Sequence, residues 1–484
     1  MTVIFVGGIV SGRNAKCRMR YSHELGGGPC RRGVMLTYEL KKAPGVPLYE
    51  ALYRCIRTDI LSGKLPAGTK LPSKRALAEH LEVSKITVET AYNQLLEEGY
   101  IRSREKVGYF VEEILQHSPT PVENFSPEEQ PEERSLGPEK FPFSVWSSLQ
   151  REVMLDLGEK LLLPVANQGL WELRQAIARH LSDFRGMQVD PRNILVGAGT
   201  DFLYNLLIQL LGRDKIYAVE EPGYGKIRRI YAAGGVACVS AEMDGQGVCP
   251  EKLGQSKVLH ISPAHHFPTG LVTGMQRRQE LLRWAREQGG YIIEDDYDSE
   301  FRFDAHPVPT MYSLDPVGRV VYMNTFSKSL APSIRISYLV LPEGLMARFR
   351  EELGFYSCTV SSFEQHTLAR FLSRGHFEKH INRMRKFYRS RRNRLLQLLE
   401  ESAFAEKLTI LEEDAGLHFL LRVDTELSDR ELERLCREAG AELQTLSRYY
   451  HNACPAEAAH CLVVNYDTLR EEDLEQMLER LASR

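Results

Sequence analysis

The sequence contains no Cys-x-x-Cys pair. Its nine cysteines (Cys17, Cys30, Cys55, Cys238, Cys249, Cys358, Cys436, Cys454 and Cys461) are scattered and odd in number. This argues against a structural zinc or a disulfide framework and for a reducing, cytoplasmic setting, and no metal site is expected. No apolar run approaches the roughly 18 residues of a membrane span. Val3 to Val10 is apolar but has no basic stretch before it, so no signal peptide is expected. There is also no surplus of one charge: the formal net charge is −3. The chain as a whole carries no nucleic-acid signature, and any basic surface must be local.

What is present is the composition of an ordinary soluble protein, 43% hydrophobic and 26% charged over 484 residues, long enough for about three units of about 150 residues. Residues 1–38, with Gly26-Gly27-Gly28-Pro29, show neither helical nor strand periodicity. They are expected to be disordered, or an extension ahead of a true start at Met35. Residues 114–140 hold Pro119, Pro121, Pro127, Pro131 and Pro138 among many glutamates. Such a segment stays extended and serves as a tether or a passive spacer. Between the two, residues 40–113 form one patterned block; residues 141–484 form another.

The second block alternates strand-like and helical patterns: Ile194 to Val196, a helix from about Thr200 to Leu211, Ile216 to Val219, Val258 to Ile261, a helix from about Met275 to Gln288, Tyr291 to Glu294, then Val320 to Met323. Alternation of this kind predicts an α/β fold with a mainly parallel sheet covered by helices. Its candidate residues fall at strand ends, where ligands bind in open α/β sheets. Lys328 follows the last strand and, if desolvated there, can form a Schiff base with a carbonyl. Ser327 and Arg335 beside it suit a phosphate. Gly199 and Thr200 precede a helix whose N–H groups can hold the same phosphate. Tyr224 can stack on a flat heterocycle, and Asp295 can pair with a protonated ring nitrogen. Each alone has a bland reading: a solvated lysine, a tight turn, a core aromatic, a structural carboxylate. Together they describe pyridoxal 5'-phosphate.

In the first block, Leu48, Leu52, Ile56 and Ile60 share a helical face that Gly63 ends. Ser73 and Ser84 are N-cap residues for two further helices joined by Glu82-Val83, the spacing of a helix-turn-helix. Lys85, Thr87 and Glu89 then lie at the start of the helix that would enter a major groove. Tyr100 to Ser103 and Gly108 to Val111 alternate like a hairpin with Lys106 near its tip. Lys41 to Phe110 carries about four net positive charges. A three-helix protein-interaction domain with a basic face is the alternative.

The stretch LPAGTKLPSKRALAEHLEVSKITVETAYNQLLEEGYIRSREKVGYFV resembles the winged helix of GntR-type bacterial transcription regulators. The resemblance implies DNA contacts from Arg75, Lys85, Thr87 and Gly108, which with the caps and the wing lysine gives the set Ser73, Arg75, Ser84, Lys85, Thr87, Lys106 and Gly108. Glu89 stands where an arginine is often found; it either reads a cytosine amino group or turns away. From Phe141 onward, NQGLWELRQAIARHL, VGAGTDFLYNLL, EEPGY, HHFPTG, IIEDDYDSEFRFD, NTFSKSLAPSIRISY and AGLHFLL resemble, in order, fold-type I aminotransferases. With the winged helix in front, the chain resembles the MocR subgroup of GntR regulators. That implies a large subdomain, a small α+β subdomain, Lys328 as the imine lysine, Asp295 on the ring nitrogen, Tyr297 on the phenolic oxygen, Tyr224 stacking, and Gly199, Thr200, Ser327 and Arg335 around the phosphate. Arg448 would pair with a ligand carboxylate. Lys226 stands where the γ-aminobutyrate-sensing type has a second arginine, and Asn465-Tyr466 replaces a glycine-phenylalanine that would leave more room. Phe267 takes a place where aminotransferases often carry asparagine, which fits a sensor better than a fast catalyst. The expected function is a cytoplasmic, homodimeric regulator that binds double-stranded promoter DNA and senses pyridoxal phosphate, or an amino compound forming an external aldimine with it. The alternatives are an active aminotransferase carrying a DNA module, and a regulator with a vestigial pocket.

Overall fold

The computed structural model describes residues 35–38, 40, 47–113, 141–301, 308–412, 416–466 and 468–483. The chain divides into two compact units, with the division after Glu132. The expected extension up to residue 34 and the tether at 114–140 lie outside the described residues.

The first unit has three helices, α1 (Leu48–Leu61), α2 (Lys74–His80) and α3 (Lys85–Glu97), then a hairpin of β1 (Ile101–Arg104) and β2 (Gly108–Val111). The apolar spacing read from the sequence becomes its core: Leu52, Ile56 and Ile60 of α1 pack with Leu77, Val88, Ala91, Tyr92 and Leu95. Ser73 and Ser84 cap α2 and α3 by accepting from the Ala76 and Thr87 N–H groups. Glu82, in the joint between them, takes a left-handed conformation at φ 53°. The boundary expected at residue 38 is displaced. Leu36 and Tyr38 are buried in this same core, and the Tyr38 hydroxyl donates to Asp59 at 2.9 Å. Two residues are too short a run to show periodicity, which hid them in the sequence.

The second unit is built on an eight-stranded sheet of β3 (Ile194–Gly197), β4 (Ile216–Glu221), β5 (Ala237–Asp244), β6 (Gly247–Val248), β7 (Val258–Ile261), β8 (Tyr291–Asp295), β9 (Val320–Thr325) and β10 (Ser337–Val340). Their order is β3-β10-β9-β8-β7-β4-β5-β6. The run β9-β8-β7-β4-β5 is parallel, while β10 is antiparallel to both β3 and β9. Strands β3, β7, β9 and β10 are buried along their whole length, as expected for a sheet covered on both faces. Each Ile, Leu or Val buried there contributes about 1.5–3 kcal/mol. A smaller antiparallel sheet, β11 (Leu408–Leu411), β12 (His418–Val423), β13 (Gln444–Thr445) and β14 (Cys461–Asn465), forms the second subdomain with helices His376–Glu401, Asp429–Glu438 and Glu471–Ala482. The carboxyl ends of β4, β7, β8 and β9 share one edge of the large sheet, and that edge positions the site.

Candidate functional site

A cavity of about 880 Å³ opens at this edge, large enough for a cofactor with a small ligand. Its wall includes Thr200, Tyr224, Lys226, Asp295, Tyr297, Ser327, Lys328 and Arg335 from the large subdomain and Arg448 and Asn465 from the small one. Gly199 borders the same wall next to Thr200. Residues as far apart in the sequence as Thr200 and Asn465 thus line one cavity.

Asp295 ends β8, buried at 5% exposure. Its Oδ2 accepts from the Tyr204 hydroxyl at 2.8 Å and lies 3.4 Å from His260 Nε2, whose Nδ1 is 2.6 Å from the Tyr231 hydroxyl. Its Oδ1 is buried and has no hydrogen-bond partner among the described residues. A buried acceptor left open is costly unless a ligand donor fills it. Tyr204 and His260 were not anticipated, although each left a trace: Tyr204 stands four residues after Thr200, on the same helical face, and His260 is the one polar residue in an apolar strand. Burial, reinforced by the Asp295 charge, raises the Tyr204 hydroxyl well above the usual tyrosine range, so it remains a donor. Tyr297 lines the cavity with its hydroxyl 3.5 Å from His265 Nδ1. Burial and then the Asp298 charge raise its pKa as well.

Gly199 caps helix Thr200–Leu211 at φ 84°, and the first N–H groups of that helix have no intrahelical acceptors. A Cβ at Gly199 would meet the Arg335 guanidinium, which would have to move aside, and the positive φ itself favours glycine. Arg335 itself is left-handed at φ 49°. The Ser327 hydroxyl is buried without a partner among the described residues. An open hydroxyl, an arginine and a helix N-terminus fit a phosphate, and the open Asp295 oxygen fits a pyridinium. The residues present therefore fit pyridoxal phosphate. Lys328 is exposed in the helical turn Phe326–Ser329 and lines the cavity.

The charged groups expected for a ligand carboxylate are already paired. Lys226 lies 2.8 Å from Asp201, which also faces Arg335 at 3.3 Å. Arg448 donates through Nε to both Glu433 oxygens at 3.0 Å and through a terminal nitrogen at 2.6 Å. Glu433 is buried, which by itself raises its pKa, but the bonds from Arg448 and Thr445 prevail and hold it low. The Arg448 side chain remains 57% exposed. Tyr224 is half exposed rather than packed in the core, edge-on to Phe267 with ring centroids 6.1 Å apart. Asn465 faces the cavity. Tyr466 does not; it is fully buried, with its hydroxyl donating to the Gly416 carbonyl at 2.7 Å, so it does not narrow the space.

On the first unit, Arg75, Lys85 and Lys106 are exposed, and Lys106 occupies the wing tip at φ 58°. Gly108, at φ 126°, opens β2. Ser73 and Ser84 have their side-chain oxygens engaged as caps, and the Thr87 hydroxyl lies 2.8 Å from that of Ser84. Glu89 is bound by Lys74 at 2.8 Å, a pairing between helices that the sequence left open.

Residues 139–481 match the family described as aminotransferase class I and II, and residues 48–111 match the bacterial regulatory proteins of the gntR family. The chain is 36% identical over 461 residues to the uncharacterized HTH-type transcriptional regulator YhdI of Bacillus subtilis, covering 92% of this chain and 97% of that protein. It is 33% identical to the probable rhizopine catabolism regulatory protein MocR of Rhizobium meliloti, over 87% of this chain and 90% of that one. Among solved structures, Pyrococcus horikoshii kynurenine aminotransferase superposes with a TM-score of 0.61 at 24% identity, covering 72% of this chain and 89% of that one, which shows the fold. A GntR winged helix followed by an aminotransferase-fold unit, related over nearly their whole length to regulators of that build, places this chain in the MocR-type branch of the GntR family.

Proposed function

We propose that the chain is a promoter-binding regulator whose cofactor is pyridoxal phosphate and whose signal is either that cofactor or a small amino compound that joins it in the cavity. The observation that carries this reading is the pair of buried oxygens without a partner among the described residues, Asp295 Oδ1 and Ser327 Oγ, on residues that line the same cavity as Lys328. Pyridoxal phosphate supplies an aldehyde that condenses with amines. In this reading Lys328 would hold the cofactor through its amine, Asp295 would pair with the ring nitrogen, and Tyr297 would donate to the phenolic oxygen. Tyr224 covers the ring, and Gly199, Thr200, Ser327 and Arg335 take the phosphate. Arg448 meets a ligand carboxylate with Lys226 nearby. Such a ligand changes DNA binding only by the difference in its affinity for two states of the chain.

The winged helix would contact phosphates and bases through Arg75, Lys85, Thr87 and Lys106, with Ser73, Ser84 and Gly108 shaping the helix starts and the wing. A second copy of the chain is supported by exposed apolar side chains on neighbouring elements: Met154 and Leu155 of helix Phe143–Leu157, Leu162 and Leu163 just after it, and Phe363 on helix Ser362–Ser373, which packs against it. A soluble cytoplasmic location agrees with the free cysteines and with the lack, among the described residues, of any helix long and apolar enough to cross a membrane.

The test is a spectral titration of the purified chain with pyridoxal phosphate. A visible band that borohydride fixes to the peptide carrying Lys328 is expected, and it is absent in Lys328→Ala, which still retards promoter DNA. A protein that never develops the band would overturn the reading. Repeated turnover with an amino donor and a 2-oxo acid would instead favour an aminotransferase localised by its DNA module.

A further inference from the structure

The reading helix α3 offers few free polar groups in its first two turns. Ser84 Oγ accepts the Thr87 N–H at 3.1 Å and lies 2.8 Å from the Thr87 hydroxyl. Lys74 holds Glu89 at 2.8 Å, and the Thr90 hydroxyl donates to the Ile86 carbonyl at 2.9 Å. Between Lys85 and Thr87 stands Ile86, 73% exposed, on the side of the helix away from the buried Val88, Ala91, Tyr92 and Leu95. A single exposed aliphatic side chain is ordinary on a protein surface. This one occupies the first turn of the helix whose amino end meets base edges in a helix-turn-helix module.

In the major groove an aliphatic group has one complementary partner. Adenine, guanine and cytosine present hydrogen-bonding edges there, whereas thymine adds a methyl group. An isoleucine over any other edge would strip water from donors and acceptors and replace it with nothing. Resting on the DNA-binding reading above, we propose that Ile86 is a specificity-determining residue that packs against a thymine methyl group in each half-site bound by this chain. The base preference at that position then comes from shape and apolar contact, while Lys85 and Arg75 supply sequence-independent attraction to phosphates.

The experiment uses the full-length protein with duplexes enriched from a random DNA pool. Each thymine of the enriched sequence is replaced in turn by deoxyuridine, which removes only the methyl group. With the wild-type chain, one thymine per half-site should show a loss of about fourfold in affinity, the worth of one buried methyl-sized group. With Ile86→Ala, deoxyuridine at that thymine should cost nothing further. Ile86 is exposed, so the variant is expected to fold, and an unchanged melting temperature checks it. Lys85→Ala on the same duplexes should weaken all sequences alike and flatten the salt dependence by about one unit of slope, which shows that the helix is on the DNA. If Lys85→Ala acts in this way but no thymine methyl matters, or if the methyl effect survives in Ile86→Ala, the proposal is overturned while the DNA-binding reading stands. A pool from which no duplex is enriched would overturn both.

Discussion

The Asp201 carboxylate lies 3.3 Å from the Arg335 guanidinium, at the mouth of the cup that would hold a phosphate, and its other contact is Lys226 at 2.8 Å. An anion entering the cup must compete with a resident carboxylate for Arg335. Replacing Asp201 with asparagine keeps the shape and removes the charge. Both partners are exposed, so the pair is worth less than about 1 kcal/mol. Asp201→Asn is therefore expected to tighten pyridoxal phosphate binding by about two- to fivefold, read from an absorbance titration at low salt, with the gain shrinking as salt is added. Weaker binding would mean that Asp201 orients Arg335 rather than opposing the phosphate.

Tyr204 supports Asp295 through a 2.8 Å bond, and without it Oδ2 retains, among the described residues, only His260 at 3.4 Å. A hydrogen bond to a charged, buried group is worth about 1.5–3 kcal/mol. Tyr204→Phe should therefore lower cofactor affinity by about tenfold or more, and Asp295→Ala, which removes the ring-nitrogen partner itself, should lower it further. Cofactor retained after dialysis, measured by absorbance, gives the order. Equal retention in Tyr204→Phe and the wild type would show that His260 alone suffices.

These relationships mark where the sequence stops being legible. Helices Thr200–Leu211 and Met275–Gln288 end where apolar periodicity and glycine punctuation place them, because those signals act locally. The strand ends carrying Asp295, Ser327 and Lys328 were legible for the same reason. The insertion of β10 between β3 and β9 was not, since an antiparallel strand reads like its parallel neighbours when both faces are buried. The partners of the site residues were also hidden. Tyr204 and Asp295 are 91 positions apart, and Arg335 and Asp201 are 134 apart; only the strand order brings them together. Lys74 and Glu89 are 15 apart, yet the turn between two helices decides whether they meet. The family motifs located the site, while the counter-ions that tune it came from the fold.

Glu300 gives the large subdomain a pH dependence. Burial and repulsion from Asp296 push its carboxyl up to about 8, against the pull of Arg185. His180, 4.0 Å away, is pushed down to about 4 by its own burial, so it offers no compensating charge near neutrality. A carboxyl raised in the folded state binds a proton that the unfolded chain has released. Its contribution is complete below the unfolded value near 4.5 and is lost as pH rises towards 8, at a slope of up to about 1.4 kcal/mol per pH unit. The melting temperature should therefore fall between pH 6 and 8, and Glu300→Gln, neutral throughout, should flatten that fall. An unchanged slope in the variant would place the titration elsewhere.

The ion pair between Lys74 and Glu89 controls how much positive charge the winged helix presents. Lys74 is largely buried along its stem and Glu89 is nearly half exposed, so solvent screens the pair and breaking it should change stability little. DNA binding should change more. Glu89→Ala removes a negative charge from the reading helix and releases an ammonium that is otherwise neutralised, so affinity for any duplex should rise. The plot of log affinity against log salt should steepen by about one unit if Lys74 gains a phosphate. A selective loss of affinity, confined to duplexes with a cytosine at one position, would show instead that Glu89 leaves Lys74 on binding and accepts from the cytosine amino group. Measuring both variants, Glu89→Ala and Lys74→Ala, over a salt series on two duplexes that differ only at that cytosine separates the outcomes. In the first case adding Lys74→Ala to Glu89→Ala cancels the gain; in the second Lys74→Ala alone leaves the cytosine preference intact.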